Sequence, residues 1–113
     1  MASTTNLTNI VKPSLGRTET TLVSTASNQR GAAVGLSLCN ITSGTVTASV
    51  YVTDATSQKA AYIKNISIGP NTSARIINGG EKLLLAASNT VSIVCDTPDG
   101  LDVIFSVVII TYT

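Results

Sequence analysis

The chain has 113 residues, a formal net charge of +1, and 12% charged against 43% hydrophobic residues. This is one domain with a modest core, and its scattered Lys and Arg exclude a basic patch for nucleic acid. With no histidine, no tryptophan and one phenylalanine, the commonest general base, the commonest metal ligand and most aromatic stacking platforms are missing.

The first residues carry neither a charged nor an apolar signal region, so no secretory leader is expected. Leu7, Ile10, Val11 and Leu15 follow no regular period, and Pro13 and Gly16 break the stretch. We read residues 1–17 as an extended N-terminal arm, with Leu7, Ile10 and Val11 as candidates for contact with a neighbouring protein. Residues 18–113 form the folded domain.

Strand patterns then follow one another. Glu19 to Thr25 holds Leu22 and Val23, and Ala32 to Ile41 sets Val34, Leu36 and Leu38 on one expected face. After a Thr42-Ser43-Gly44 turn, Thr45 to Thr53 alternates cleanly, with Val46, Ala48, Val50 and Val52 inward and Thr47, Ser49 and Tyr51 outward. Lys59 to Ile68 and Ser73 to Ile77 flank a Gly69-Pro70-Asn71 turn, and Asn78-Gly79-Gly80 predicts another. Leu83-Leu84-Leu85 and Val91 to Cys95 are two short strands, although residues 81–87 are also compatible with a helical turn.

The last segment, Val103 to Tyr112, is β-branched or aromatic almost throughout. Both of its faces are apolar: Val103, Phe105, Val107 and Ile109 on one, Ile104, Val108 and Ile110 on the other. A strand with one wet face alternates, so both faces of this one need cover. We expect one face to be covered by another chain, with the even-numbered residues in the subunit's own core and Phe105, Val107 and Ile109 at an oligomer interface, or the two faces reversed. About eight strands at roughly ten-residue spacing predict an all-β antiparallel sandwich, jelly-roll or immunoglobulin-like.

Chemistry-bearing motifs are few. Asp96, Asp99 and Asp102 sit around a Pro-Gly turn without the spacing of a calcium loop, and read as a solvated hairpin tip. Cys39 and Cys95 have neither a CxxC spacing nor a basic neighbour, and read as small buried thiols. Sequons at Asn6, Asn40, Asn65 and Asn71 are expected by chance at this composition. No catalytic, metal or cofactor site is expected.

Val34 to Asp54, Tyr62 to Ser73, and Asn78-Gly79-Gly80-Glu81-Lys82-Leu83-Leu84-Leu85 resemble the middle of small virion proteins of tailed bacteriophages. In that family a strand ending Lys-Asn-Ile-Pro-Ile precedes Pro-x-x-Ser/Thr, then Gly-x-Lys-Leu and a last strand. Here Ser67 stands where proline is usual, and the arm is unmatched. The resemblance implies a capsid decoration (cement) protein, or else a tail or fibre component. It implies a symmetric homo-oligomer, expected as a trimer, that partners the major capsid protein or other virion proteins. The implied place is the virion, after folding in a host cytoplasm, with no nucleic acid or membrane partner. The competing class is a carbohydrate-binding tail module, for which Tyr51 and the Asp96–Asp102 turn are the candidate residues.

Overall fold

The computed structural model of the chain describes residues 2–77 and 82–113; the expected Asn78-Gly79-Gly80 turn lies outside them. The described residues form nine strands: β1 (Ser3–Leu15), β2 (Thr20–Ser24), β3 (Gln29–Asn40), β4 (Val46–Thr53), β5 (Lys59–Ile68), β6 (Ser73–Ile77), β7 (Leu83–Leu85), β8 (Thr90–Cys95) and β9 (Leu101–Tyr112). Every pairing is antiparallel. The all-β sandwich expected from the strand patterns is the observed fold. The Leu83–Leu85 segment resolves as strand, not helix.

The first sheet runs β1-β9-β3-β6 and the second β2-β8-β4-β5. β7 also pairs with β3, at Gly31–Ala33, while β6 pairs with Leu36–Cys39. Because β9 occupies the other side of β3, β6 and β7 lie end to end as one interrupted strand. Counted so, the molecule is an eight-strand ribbon, β1 with β9, β2 with β8, β3 with β6/β7 and β4 with β5, wrapped into two sheets. That winding is a jelly roll, which decides between the two sandwich types expected.

The core lies between the sheets. Leu101, Val103, Phe105 and Val107 of β9 and Ala33, Leu36 and Leu38 of β3 face Val46, Ala48 and Val50 of β4 and Val91 and Ile93 of β8, all buried. One deviation has a local cause. A bulge between Ala33 and Gly35 inserts a residue into β3, so Ala33 turns inward and Val34 outward. Val34 is therefore not on the face of Leu36 and Leu38, because a bulge resets the alternation.

Side chains tie the connections down. Buried Asn40 donates to the carbonyls of Gly44, Ile68 and Gly69 at 2.8, 2.9 and 3.0 Å, and accepts from the Thr42 amide and hydroxyl at 2.9 and 2.8 Å. Thr25 Oγ1 donates to Ala86 O at 2.7 Å and accepts from Asn89 N at 2.9 Å. Beside the ends of β1 and β9, Thr113 N donates to Ala2 O at 2.9 Å.

Candidate functional site

The sequence residues expected to act in binding fall on β1 and β9. The 1–17 segment is mostly β1, hydrogen-bonded along β9 from Ser3↔Tyr112 to Lys12↔Val103. Past Lys12 the register slips, and Ser14, with φ of 54°, donates its amide to Asp102 Oδ1 at 2.9 Å. β1 is thus an edge strand of its own sandwich. From Ser3 to Val11 it carries no charge and no proline, the usual guards of a free edge.

Residues paired across strands share a face, so the register shows what the first sheet presents outward. One row runs Leu7–Val108–Ala32–Leu84 across β1, β9, β3 and β7. A second runs Val11–Ile104–Ser37–Arg75. Between them Ser106 Oγ donates to Asn9 Oδ1 at 2.9 Å. Leu7 is 81% exposed, Leu84 76%, Val11 64% and Ile104 50%. Bulged Val34 is exposed beside them, and shallow depressions of about 240 and 280 Å³ lie on either side of it. Large aliphatic side chains spread over four strands form an apolar face that nothing among the described residues covers.

This corrects the expected interface. Phe105 and Val107 are buried in the subunit's own core, and Ile109 packs half-buried against it. Phe105 and Val107 therefore cannot meet a neighbouring chain. The second sheet lies on the odd-numbered side of β9, which leaves Ile104, Val108 and Ile110 on the outer side. Of the arm candidates, Leu7 and Val11 belong to the outer face, while Ile10, paired with Phe105, turns inward against the core. Leu84 was not singled out from the sequence. Its signal is there: a strand of three leucines at the edge of a two-layer fold must show one of them to the outside.

The outer face of the second sheet is polar. Lys59 Nζ meets Glu19 Oε1 at 2.6 Å and lies 4.6 Å from the centre of the Tyr51 ring. Lys64 Nζ donates to Tyr51 OH at 3.0 Å, which favours the phenolate and lowers the Tyr51 pKa from its ordinary value. Glu19, held by Lys59 and then by the Ser92 hydroxyl, is likewise lowered. Asp96 accepts from the Thr47 amide and from Thr97 Oγ1, both at 3.0 Å, and its pKa falls for that reason. Alongside these groups runs a groove of about 640 Å³ lined by Thr47, Ser49, Tyr51, Asn65, Ser67 and Asp96, with Val94 and Cys95. The structure thus brings Tyr51 and Asp96, 45 residues apart in the chain, to one groove. Asp102 goes elsewhere, to the β1 bulge.

No three ligand-type side chains converge among the described residues, so Asp96, Asp99 and Asp102 form no metal cluster there. Cys95 is buried, its thiol 3.2 Å from Thr97 O, and Cys39 is half-exposed on β3; both are free. No helix among the described residues is long and apolar enough to cross a membrane.

No protein-family model and no curated protein match the chain. Solved structures do. A chain from Bacillus endospore appendages, described as forming a family of disulfide-linked pili, superposes with a TM-score of 0.56 at 14% identity, over 96% of this chain and 87% of that one. A chain of the T13 particle of infectious bursal disease virus gives a TM-score of 0.55 at 13% identity, over 96% of this chain and 31% of that one. The Gx strain of the same virus gives 0.56 at 12%, over 96% and 32%. The chain thus spans about a third of those viral polypeptides. What is shared is the fold, a β-sandwich also used by proteins that build pili and virus particles.

Proposed function

We propose that this chain is a bacteriophage virion structural protein, a cement protein that assembles as a symmetric oligomer and holds an assembled head together. It acts by binding, not by catalysis, and needs no cofactor. The observation that carries the reading is the apolar face of the β1-β9-β3-β7 sheet, uncovered among the described residues, with Leu7, Val11, Leu84 and Ile104 exposed on it. Few charges surround it, so little desolvation opposes packing against another protein. A cement protein stabilises a shell by binding the assembled lattice better than free subunits, and many copies make modest contacts sufficient. The virus-particle neighbours and the resemblance to small phage virion proteins support the same reading.

A second reading, a tail or fibre component, is favoured by one observation. The pilus protein superposes over nearly the whole of both chains, so a lone sandwich of this size also suits a filament subunit.

Native mass measurement combined with co-sedimentation on phage heads tests the proposal. The unaltered chain is expected to be an oligomer and to sediment with heads. A Leu7→Asp/Ile104→Asp variant, altered only at exposed positions, should stay folded, become monomeric and lose roughly tenfold or more in attachment. A stable monomer whose attachment survives both changes overturns it, and binding to purified tails but not heads replaces it with the second reading.

A further inference from the structure

The polar groove of the second sheet is unused by the docking face, which lies on the opposite side of the sandwich. We propose that it binds a neutral pyranose sugar through two neighbouring hydroxyls. The inference is independent of the virion reading, because it rests on other residues.

The groove is built by an irregularity in β5. Opposite Ala48 and Val50 the register slips, so Ile66 and Ile63 bracket an extra residue. Asn65 takes the left-handed conformation there, with φ of 53°. A bulge of this kind re-aims a side chain out of the ladder, and asparagine tolerates the conformation better than other side chains. Ser49 then fixes it: the Asn65 amide donates to Ser49 Oγ at 2.9 Å, and Ser49 Oγ lies 3.3 Å from Asn65 Oδ1. With Oδ1 engaged, the side-chain NH2 of Asn65 remains as a donor on the groove wall.

Asp96 is fixed in the same way from the other side. Its Oδ1 takes the Thr47 amide and the Thr97 hydroxyl, and Arg17 Nε donates to its backbone carbonyl at 3.2 Å. Oδ2 accepts from no other residue among those described. Ser67 Oγ and Thr47 Oγ1, paired neighbours on β5 and β4, likewise make no hydrogen bond within the described chain. The groove therefore offers a positioned amide donor, a positioned carboxylate acceptor and two hydroxyls that can do either.

Vicinal sugar hydroxyls need that set, one to be donated to and one to donate. The volume of about 640 Å³ holds a mono- or disaccharide. Val94 and Tyr51 supply the little apolar surface that the C–H face of a pyranose requires. The carboxylate disfavours phosphate and sulfate ligands, and the nearby cations are engaged: Lys64 by the Tyr51 hydroxyl, Lys59 by Glu19 and Arg17 by the Asp96 backbone carbonyl.

The test is a heteronuclear NMR titration of the intact chain with D-glucose, D-galactose and D-mannose, and with glucose 6-phosphate as the anionic comparison. Saturable shifts are expected at Thr47, Asn65, Ser67 and Asp96 for at least one neutral hexose, with weaker binding of the phosphate. Asp96→Asn keeps a carbonyl for the Thr47 amide but replaces the free acceptor, and should weaken binding roughly tenfold or more. Ser67→Ala, at an exposed position without a structural partner, should weaken it severalfold. Their dispersed spectra report that both variants remain folded. Absence of saturable shifts with all three hexoses, binding unchanged in Asp96→Asn, or preference for the phosphate each overturns the proposal. A chain that loses head attachment in Leu7→Asp/Ile104→Asp but keeps its sugar shifts separates the two readings.

Discussion

At the scale of single residues, one polar side chain joins two turns that are remote in sequence. Asn40 uses its amide to close three carbonyls and its oxygen to take two donors, so the β3–β4 and β5–β6 turns are joined through it. Truncation would remove this donor from the buried Ile68 carbonyl and leave the Gly44 and Gly69 carbonyls to the Thr42 and Thr72 hydroxyls alone. Asn40→Ala is expected to cost about 3 kcal/mol or more, read as a lowered midpoint in urea unfolding; a loss within experimental error would refute the clamp. Asn40 opens a sequon in the sequence, yet its side chain is fully buried and cannot be an acceptor. Composition could not have revealed this, because what distinguishes Asn40 from Asn6 or Asn71 is the meeting of two turns remote in sequence.

At the scale of the strand, the elements were legible and the faces were less so. Periodicity placed β4, β5, β6 and β7 almost to the residue, because β-branched runs bounded by Gly, Pro and Asn leave little latitude. Alternation also assigned the two sides of β4 correctly, with Val46, Ala48 and Val50 inward. It failed on β9, where both faces are apolar and parity carries no sign. It failed again at Val34, where a bulge shifts the count. The groove was half visible: Tyr51 and Asp96 could be named from the sequence, but Asn65 gains its place from a bulge with no signature in residue type. β3 carries a further constraint. A Cβ built on Gly31 would lie 2.4 Å from Val108 O and 2.9 Å from Ile109 Cδ1, so β9 can approach only because no side chain stands there. Gly31→Ala should force β3 and β9 apart and lower stability by about 1–3 kcal/mol. Gly44→Ala, with nothing within 4 Å of its built Cβ, is the matched control. Equal urea midpoints for the two variants would contradict the close approach.

At the scale of the whole molecule, the acid side of the stability profile rests on three carboxylates. The pKa values of Glu19, Asp54 and Asp96 are all lowered in the fold: by Lys59 and Ser92, by the Gln58 amide and Thr56, and by the Thr47 amide and Thr97. A carboxylate depressed in the folded state contributes fully above its unfolded pKa, near 4, and loses that contribution as pH falls through the folded value. These groups are exposed to solvent, so screening keeps the effect small. The urea midpoint should be flat from neutral pH to roughly pH 5 and decline gently below roughly pH 4. No histidine is present to titrate between. A decline already under way near neutrality would assign the acid sensitivity to other groups.

The closure beside Ala2 and Thr113 has a consequence for how the molecule is made. β1 and β9 pair along almost their whole length although they stand at opposite ends of the described chain, so the ribbon forms only after a loop of about a hundred residues has closed. Since Thr113 already donates to Ala2, a few added residues could join the two ends into a ring without disturbing either strand. The same pairing would then be local. On a logarithmic loop cost, the saving is about 2–3 kcal/mol, taken from the unfolded state and leaving every native contact as it is. A jelly roll is slow to find its fold because its outermost ribbon is its most distant pairing, and here that ribbon is β1 with β9.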